Sequence, residues 1–168
     1  MTTSFKAIVL RKETDEVTYQ VENVTKEDLS AGEVFIKVAY SSINYKDMLA
    51  VQTKGGVVRD YPMIPGIDLS GTVVSSEDPN FQEGQEVLVT GFGTGVTHTG
   101  GFAQYARIPA EWVVPLPAGL TLKEAMIYGT AGFTAALSIQ ALERDGMSVD
   151  DQPNILVTGA TGGVGSVA

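Results

Sequence analysis

The sequence predicts a β-rich, partly open barrel followed by the start of a doubly wound parallel sheet, a mixed α+β and α/β architecture. Three observations carry this. Short stretches rich in Val, Ile, Thr and Tyr alternate with turn residues from Phe5 to Pro115. A helical period follows the segment PLPAG, and the chain closes on ILVTGATGGVGSVA, an apolar run entering a glycine-rich turn. Many short strands suit a barrel, whereas a strand, a glycine turn and a helix in succession open a dinucleotide-binding α/β unit.

The strands are expected at Phe5 to Arg11, Glu16 to Glu22 and Glu33 to Ser41. In the last of these Val34, Ile36, Val38 and Tyr40 share one face, the two-residue period of a half-buried strand. The LSAGE stretch before it is a loop. Four more strands are expected at Asp68 to Ser75, Glu86 to Thr90, Phe102 to Ile108 and Trp112 to Pro115. Between them, Asn44 to Gln52 has room for one or two helical turns. Thr53 to Gly66, with three glycines and two prolines, is an irregular loop. A second loop, Gly91 to Gly101, is nearly all Gly and Thr and is expected to bury no core of its own.

After PLPAG the period changes. Thr121 and Glu124 form a T-x-x-E capping box, and Leu122, Met126, Phe133 and Leu137 recur at helical spacing as far as Arg144. Gly129 and Gly132 allow a kink or a division into two helices. Asp145-Gly146 ends the helix, and a closing strand begins near Asn154. The expected division is therefore a β domain over 1–120 and the opening of an α/β domain over 121–168.

Composition narrows the function classes. With 20 acidic and 11 basic residues the formal charge is −9, and Lys and Arg are scattered rather than clustered. A nucleic-acid partner needs a basic face, so neither nucleic acid nor an anionic membrane is expected. No cysteine is present, which removes disulfides and thiolate metal sites. No apolar run comes near the roughly 18 residues that cross a bilayer. The opening MTTSFKAIVLRKETDE does not read as a secretory signal, so the expected location is the cytoplasm.

The glycine turn is the clearest motif. Gly159, Ala160, Thr161, Gly162, Gly163, Val164 and Gly165 follow an apolar run, and glycines there let backbone N–H groups approach a pyrophosphate. The pattern is not G-x-G-x-x-G. TGATGGVG fits T-G-x-x-x-G-x-G, which is similar to short-chain dehydrogenases. Those enzymes place the turn near the N-terminus and need a Tyr-x-x-x-Lys pair, which this sequence lacks.

Five stretches in order point elsewhere: SSINYKDMLA, PGIDLSGTV, GGFAQYA, GTAGFTAAL and VTGATGGVG. Together the set resembles the medium-chain dehydrogenase/reductase superfamily in its zinc-free quinone oxidoreductase branch. NYKD with MIPGID, SEDP and GTAGFTA more closely resembles the subgroup of acryloyl-CoA reductases and related quinone oxidoreductases. The resemblance covers nearly the whole chain and implies a GroES-like domain followed by a Rossmann domain, with the active site in the cleft between them. Members run to about double this length, so the chain is expected to be an N-terminal portion that does not catalyse alone.

The resemblance implies NADPH as cofactor and hydride transfer to an activated C=C or a quinone. The substrate is then a small enone, acyl-CoA or quinone, and a homodimer is compatible with it. Asn44 and Tyr45 match the catalytic positions, Tyr45 also faces the nicotinamide, and Thr130 is placed to touch the cofactor's ribose or amide. Zinc-dependent members carry Cys at Asn44 and His at Ile67, so no metal is expected. Asp47 suits the first turn of a helix, and Asp68 a bond to loop backbone. His98, the sole histidine, is expected to be a solvated loop residue. The choice between NADP and NAD is made after the second Rossmann strand, outside this sequence. Two other readings stand beside the enzyme: a non-catalytic NADPH-binding or structural member, and a GroES-like interaction module.

Overall fold

Strand β1 (Phe5–Glu13) pairs antiparallel with β2 (Glu16–Val24) in a ribbon that sets Leu10 opposite Tyr19. The computed structural model describes residues 4–168. A second, five-stranded antiparallel sheet runs β6-β3-β4-β5-β7, built from β3 (Val34–Tyr40), β4 (Asp68–Ser76), β5 (Glu86–Thr90), β6 (Tyr105–Ile108) and β7 (Val114–Pro115). The two sheets do not close. Isolated bridges from Ala7 to Ala103 and from Leu10 to Met63 tie the ribbon to the loops around the larger sheet. This is the partly open arrangement expected from the strand spacing.

The alternation within each strand decides where the core sits. Val34 and Ile36 of β3, Leu69 and Val73 of β4, Val87 and Val89 of β5, and Ala106 and Ile108 of β6 meet on one face. Each such Val, Leu or Ile contributes about 1.5–3 kcal/mol by leaving water. Asp68 and Ser70 of β4 fall on the other face by the same two-residue period, and both are fully buried. That face carries helix α2 (Leu122–Arg144), and Ser70 Oγ donates to the Leu122 carbonyl at 2.6 Å.

The capping box forms as expected. Glu124 N–H donates to Thr121 Oγ1 at 3.2 Å, and Thr121 N–H donates back to Glu124 Oε2 at 2.9 Å. The expected kink is at Gly129, whose φ of 49° and ψ of −151° are far from helical. Helix α1 is a short Tyr45–Ala50 segment.

Several expectations fail for identifiable reasons. Ile155 to Thr158 is no strand, since none of the described strands pairs with it, and Leu156 is 88% exposed. The residues after Gly165 form turns rather than a helix. Trp112 ends a 3-10 turn (Ala110–Trp112) instead of opening a strand, and β6 itself begins at Tyr105 rather than Phe102.

The Gly91–Gly101 loop is not a solvated flap. Thr94, His98 and Thr99 are buried. His98 is therefore not the solvated residue expected: its Nδ1 and Nε2 each lie 2.9 Å from a backbone oxygen, of Thr99 and Ala31 respectively. A small-residue loop packs inside when its own backbone supplies the polar partners. Finally, α2 is long and apolar enough to cross a membrane by length and composition, contrary to the reading that no run approaches this. Here Ala125, Met126, Gly129, Gly132 and Ala135 are its buried residues.

Candidate active site at the kink of helix α2

Strand β3 ends at Tyr40, and Ser41 to Asn44 lead into α1. Two carboxyls organise this turn. Asp47, in the first turn of α1, accepts from the Asn44 N–H at 2.8 Å through Oδ2 and from the Gly66 and Ile67 N–H groups at 3.2 and 3.1 Å through Oδ1. It thus clamps α1 to the loop preceding β4. Burial pushes its carboxyl above the ordinary aspartate range, the three backbone donors pull it back, and the nearby charge of Asp68 adds to the rise.

Asp68 is the second. Its Oδ1 accepts from the Ser42 N–H at 2.8 Å, and its Oδ2 accepts from Asn44 Nδ2 at 2.9 Å and from the Thr130 N–H at 3.2 Å. The expected bond to loop backbone is there, joined by the side chain of Asn44. Because all three partners are donors, the Asn44 amide is oriented: its nitrogen must face the carboxyl. One N–H of Asn44 is then spent on Asp68, while the other makes no hydrogen bond within the described residues.

Helix α2 reaches this network only because it breaks. At Gly129 the backbone turns so that Thr130 N–H meets Asp68, and a Cβ on Gly129 would lie 2.6 Å from Ser42 Oγ and 2.9 Å from Asp68 Oδ2. Ser42 Oγ completes the seam by donating to the Met126 carbonyl at 2.6 Å. Sequence reasoning missed Ser42 and gave Gly129 no part in the site. The GTAGFTA stretch held the signal, two glycines inside an otherwise good helical run.

The structure treats the other expected residues differently. Tyr45 is 73% exposed, and its hydroxyl makes no hydrogen bond to the described residues. Thr130 Oγ1 is buried without a hydrogen-bond partner among them. A buried hydroxyl left so costs about 1–3 kcal/mol, and a bound polar group would relieve it.

The glycine turn lies one step along α2. A Cβ on Gly163 would sit 3.5 Å from Ala131 Cβ, next to Thr130. Gly165 packs on Gly159, where a Cβ would fall 2.4 Å from the Gly159 oxygen, so no side chain fits there. Among the described residues, the N–H groups of Thr161, Gly163, Val164 and Gly165 make no backbone hydrogen bond. Those N–H groups and the orphaned Thr130 hydroxyl are donors of the kind that a dinucleotide's phosphate and amide oxygens accept from. Among the described residues, no group of three or more His, Cys, Asp or Glu side chains is placed to hold a metal.

Residues 30–118 match the alcohol dehydrogenase GroES-like domain family. The chain belongs to that family. It is also a member of the medium-chain dehydrogenase/reductase superfamily. Solved relatives extend the similarity beyond the β domain. The structure of Bacillus subtilis protein yhfP with NAD bound is 55% identical, with a TM-score of 0.94, over 98% of this chain and 50% of that one. The yhdH oxidoreductase of Salmonella enterica in complex with NADP is 50% identical, with a TM-score of 0.92, over 96% of this chain and 50% of that one. Acrylyl-CoA reductase AcuI of Ruegeria pomeroyi is 48% identical over 166 residues, covering 98% of this chain and 50% of the relative. The chain spans about half the length of the curated relatives and solved structures it matches.

Proposed function

We propose that this sequence, at its relatives' length, is the catalytic half of a zinc-independent NADPH-dependent reductase. Its substrate is an activated C=C, an α,β-unsaturated ketone or an acryloyl-type thioester, with quinones as a second substrate class. The observation that carries this reading is the Asn44 amide, fixed by Asp68 beside the break in α2, with one N–H left over. When bound, the reduced nicotinamide supplies the hydride.

The chain's own residues supply orientation and polarity. Hydride addition to a conjugated carbonyl moves charge onto the carbonyl oxygen, and delocalisation leaves hydrogen-bond donors sufficient to stabilise it. The remaining Asn44 N–H is such a donor, and because Asp68 holds it in place it needs no reorganisation during the reaction. Thr130 Oγ1 meets the nicotinamide end of the cofactor. The N–H groups of the Gly159–Gly165 turn meet its pyrophosphate. Tyr45, unengaged and exposed, offers its phenol to the substrate from the first turn of α1.

The test is NADPH oxidation dependent on added enone, acryloyl thioester or quinone, in protein of the relatives' length. Turnover with at least one class is expected, and NADPH binding without turnover would leave a non-catalytic member of the fold. Tyr45→Phe is expected to lower kcat/KM by roughly tenfold to a thousandfold, the worth of one positioned donor, with the melting temperature unchanged. Equal kinetics for the two proteins across all three substrate classes would remove Tyr45 from the site.

Metal removal is a separate check. Zinc needs three protein ligands in a catalytic site, and Asn44 and Ile67 stand where zinc-dependent relatives place Cys and His. Chelator treatment is expected to leave the rate intact, with no stoichiometric zinc by elemental analysis. Activity lost to the chelator and restored by zinc would contradict this.

A further inference from the structure

The Gly91–Gly101 loop has no part in the proposed reaction, yet its backbone is closely hydrogen-bonded. The Thr97 and His98 N–H groups both donate to the Gly93 carbonyl, at 2.9 and 3.0 Å, and Gly95 N–H donates to the His98 carbonyl at 2.8 Å. His98 is buried and sets its edge on the Trp112 ring, centroids 5.3 Å apart. All this ordering presents one side chain. Phe92 sits at a φ of 52°, in the left-handed region that non-glycine residues seldom occupy. Its ring lies flat on Trp112, with centroids 5.3 Å apart and planes 3° from parallel, while Phe92 as a whole is 65% exposed.

Strain held at an exposed aromatic residue is a feature of ligand-contacting positions. The location agrees. Thr90 pairs with Asp68 across the β4–β5 ladder, and the Gly91 N–H donates to the Ile67 carbonyl at 3.0 Å. Phe92 therefore lies two residues past the position that pairs with Asp68, with Trp112 beneath it packed on the core face of the sheet. Trp112 stacks beside the ring at an offset, and most of Phe92 remains open.

We propose that Phe92 is a substrate-contacting, specificity-determining residue, whose open face takes the flat, electron-poor conjugated segment of the substrate. This rests on the reductase reading and deepens it. An aromatic face is electron-rich and favours offset stacking with a planar, electron-poor partner. The saturated product is neither planar nor conjugated, so the same contact favours substrate over product and aids release. Trp112 and the buried His98 hold the platform rigid before the substrate arrives, which lowers the ordering cost of binding.

Two variants separate this from a structural role, both in protein of the relatives' length. Phe92→Gly deletes the ring and also relieves the positive φ, whereas Phe92→Tyr keeps the ring. Phe92→Gly is expected to raise KM for the conjugated substrate by about threefold to tenfold, the worth of one aromatic contact. Inhibition by the saturated product and the melting temperature should stay near wild type, and Phe92→Tyr should match wild type throughout. Binding of a conjugated enone should alter the Trp112 fluorescence, read as the difference between proteins with Trp112 and with Trp112→Phe, when Phe92 is present and not in Phe92→Gly. An unchanged KM in Phe92→Gly, an equal weakening of substrate and product, or a loss of stability parallel to the loss of affinity would each overturn the proposal. If wild type reduces no enone at all, the reductase reading fails. The Trp112 signal, which needs binding but no turnover, then still decides the role of Phe92.

Discussion

Gly129→Ala is expected to destabilise the fold by roughly 3 kcal/mol or more, and to abolish whatever activity the folded fraction would have. Two costs combine. The φ of 49° and ψ of −151° lie beside a region open essentially to glycine alone, which costs a side-chain residue about 1–3 kcal/mol. The new Cβ would also stand 2.6 Å from Ser42 Oγ and 2.9 Å from Asp68 Oδ2, and such overpacking typically costs a further 1–3 kcal/mol or so. Neither neighbour can yield freely, because Ser42 bonds the Met126 carbonyl and Asp68 bonds three donors. Denaturant unfolding measures the loss directly. An alanine variant as stable as wild type would mean that the kink is not required by this contact.

Asn44→Ala carries the second large effect, a fall in kcat/KM of roughly tenfold to a thousandfold in protein of the relatives' length. Stability should change far less, because Asn44 is only partly buried and most of its removal is felt by Asp68. Asp68→Asn acts on the same site from behind. Its carboxamide has one acceptor oxygen where the carboxyl has two, so its NH2 must face either Ser42 N–H or the pair of Asn44 and Thr130 donors. The Asn44 amide is then released or turned. A similar fall in kcat/KM is expected, together with a loss of stability, since a buried donor now opposes a donor.

The sequence made some of this legible and hid the rest for physical reasons. Strand β3 declared itself because its apolar residues alternate, and α2 because Thr121 and Glu124 cap it. Asn44 and Tyr45 stood out through their resemblance to a known pattern, not through any local signal. Asp68 was readable as a bonded carboxyl but not as the group that aims Asn44. That role exists only because Gly129, 61 residues later, turns Thr130 back onto the same oxygen. His98 and the Gly91–Gly101 loop misled because composition registers polarity and not satisfaction. A loop of glycines and threonines reads as solvated, yet one of its own carbonyls, of Thr99, and the carbonyl of Ala31 from the loop before β3 let His98 be buried. The run Ile155 to Val157 misled in the opposite sense, since apolar residues have strand propensity but a strand exists only where a neighbour completes the ladder.

The central claim is that Asp68 acts through Asn44, and a double-mutant cycle of Asn44→Ala and Asp68→Asn on kcat/KM for enone reduction tests it most directly. If Asp68 serves to hold the Asn44 amide, the double variant should be no slower than the slower single variant, giving an interaction energy of about 1–3 kcal/mol. Effects that simply add, so that the double variant loses the product of the two single losses, would show that the two residues act independently and would contradict the account.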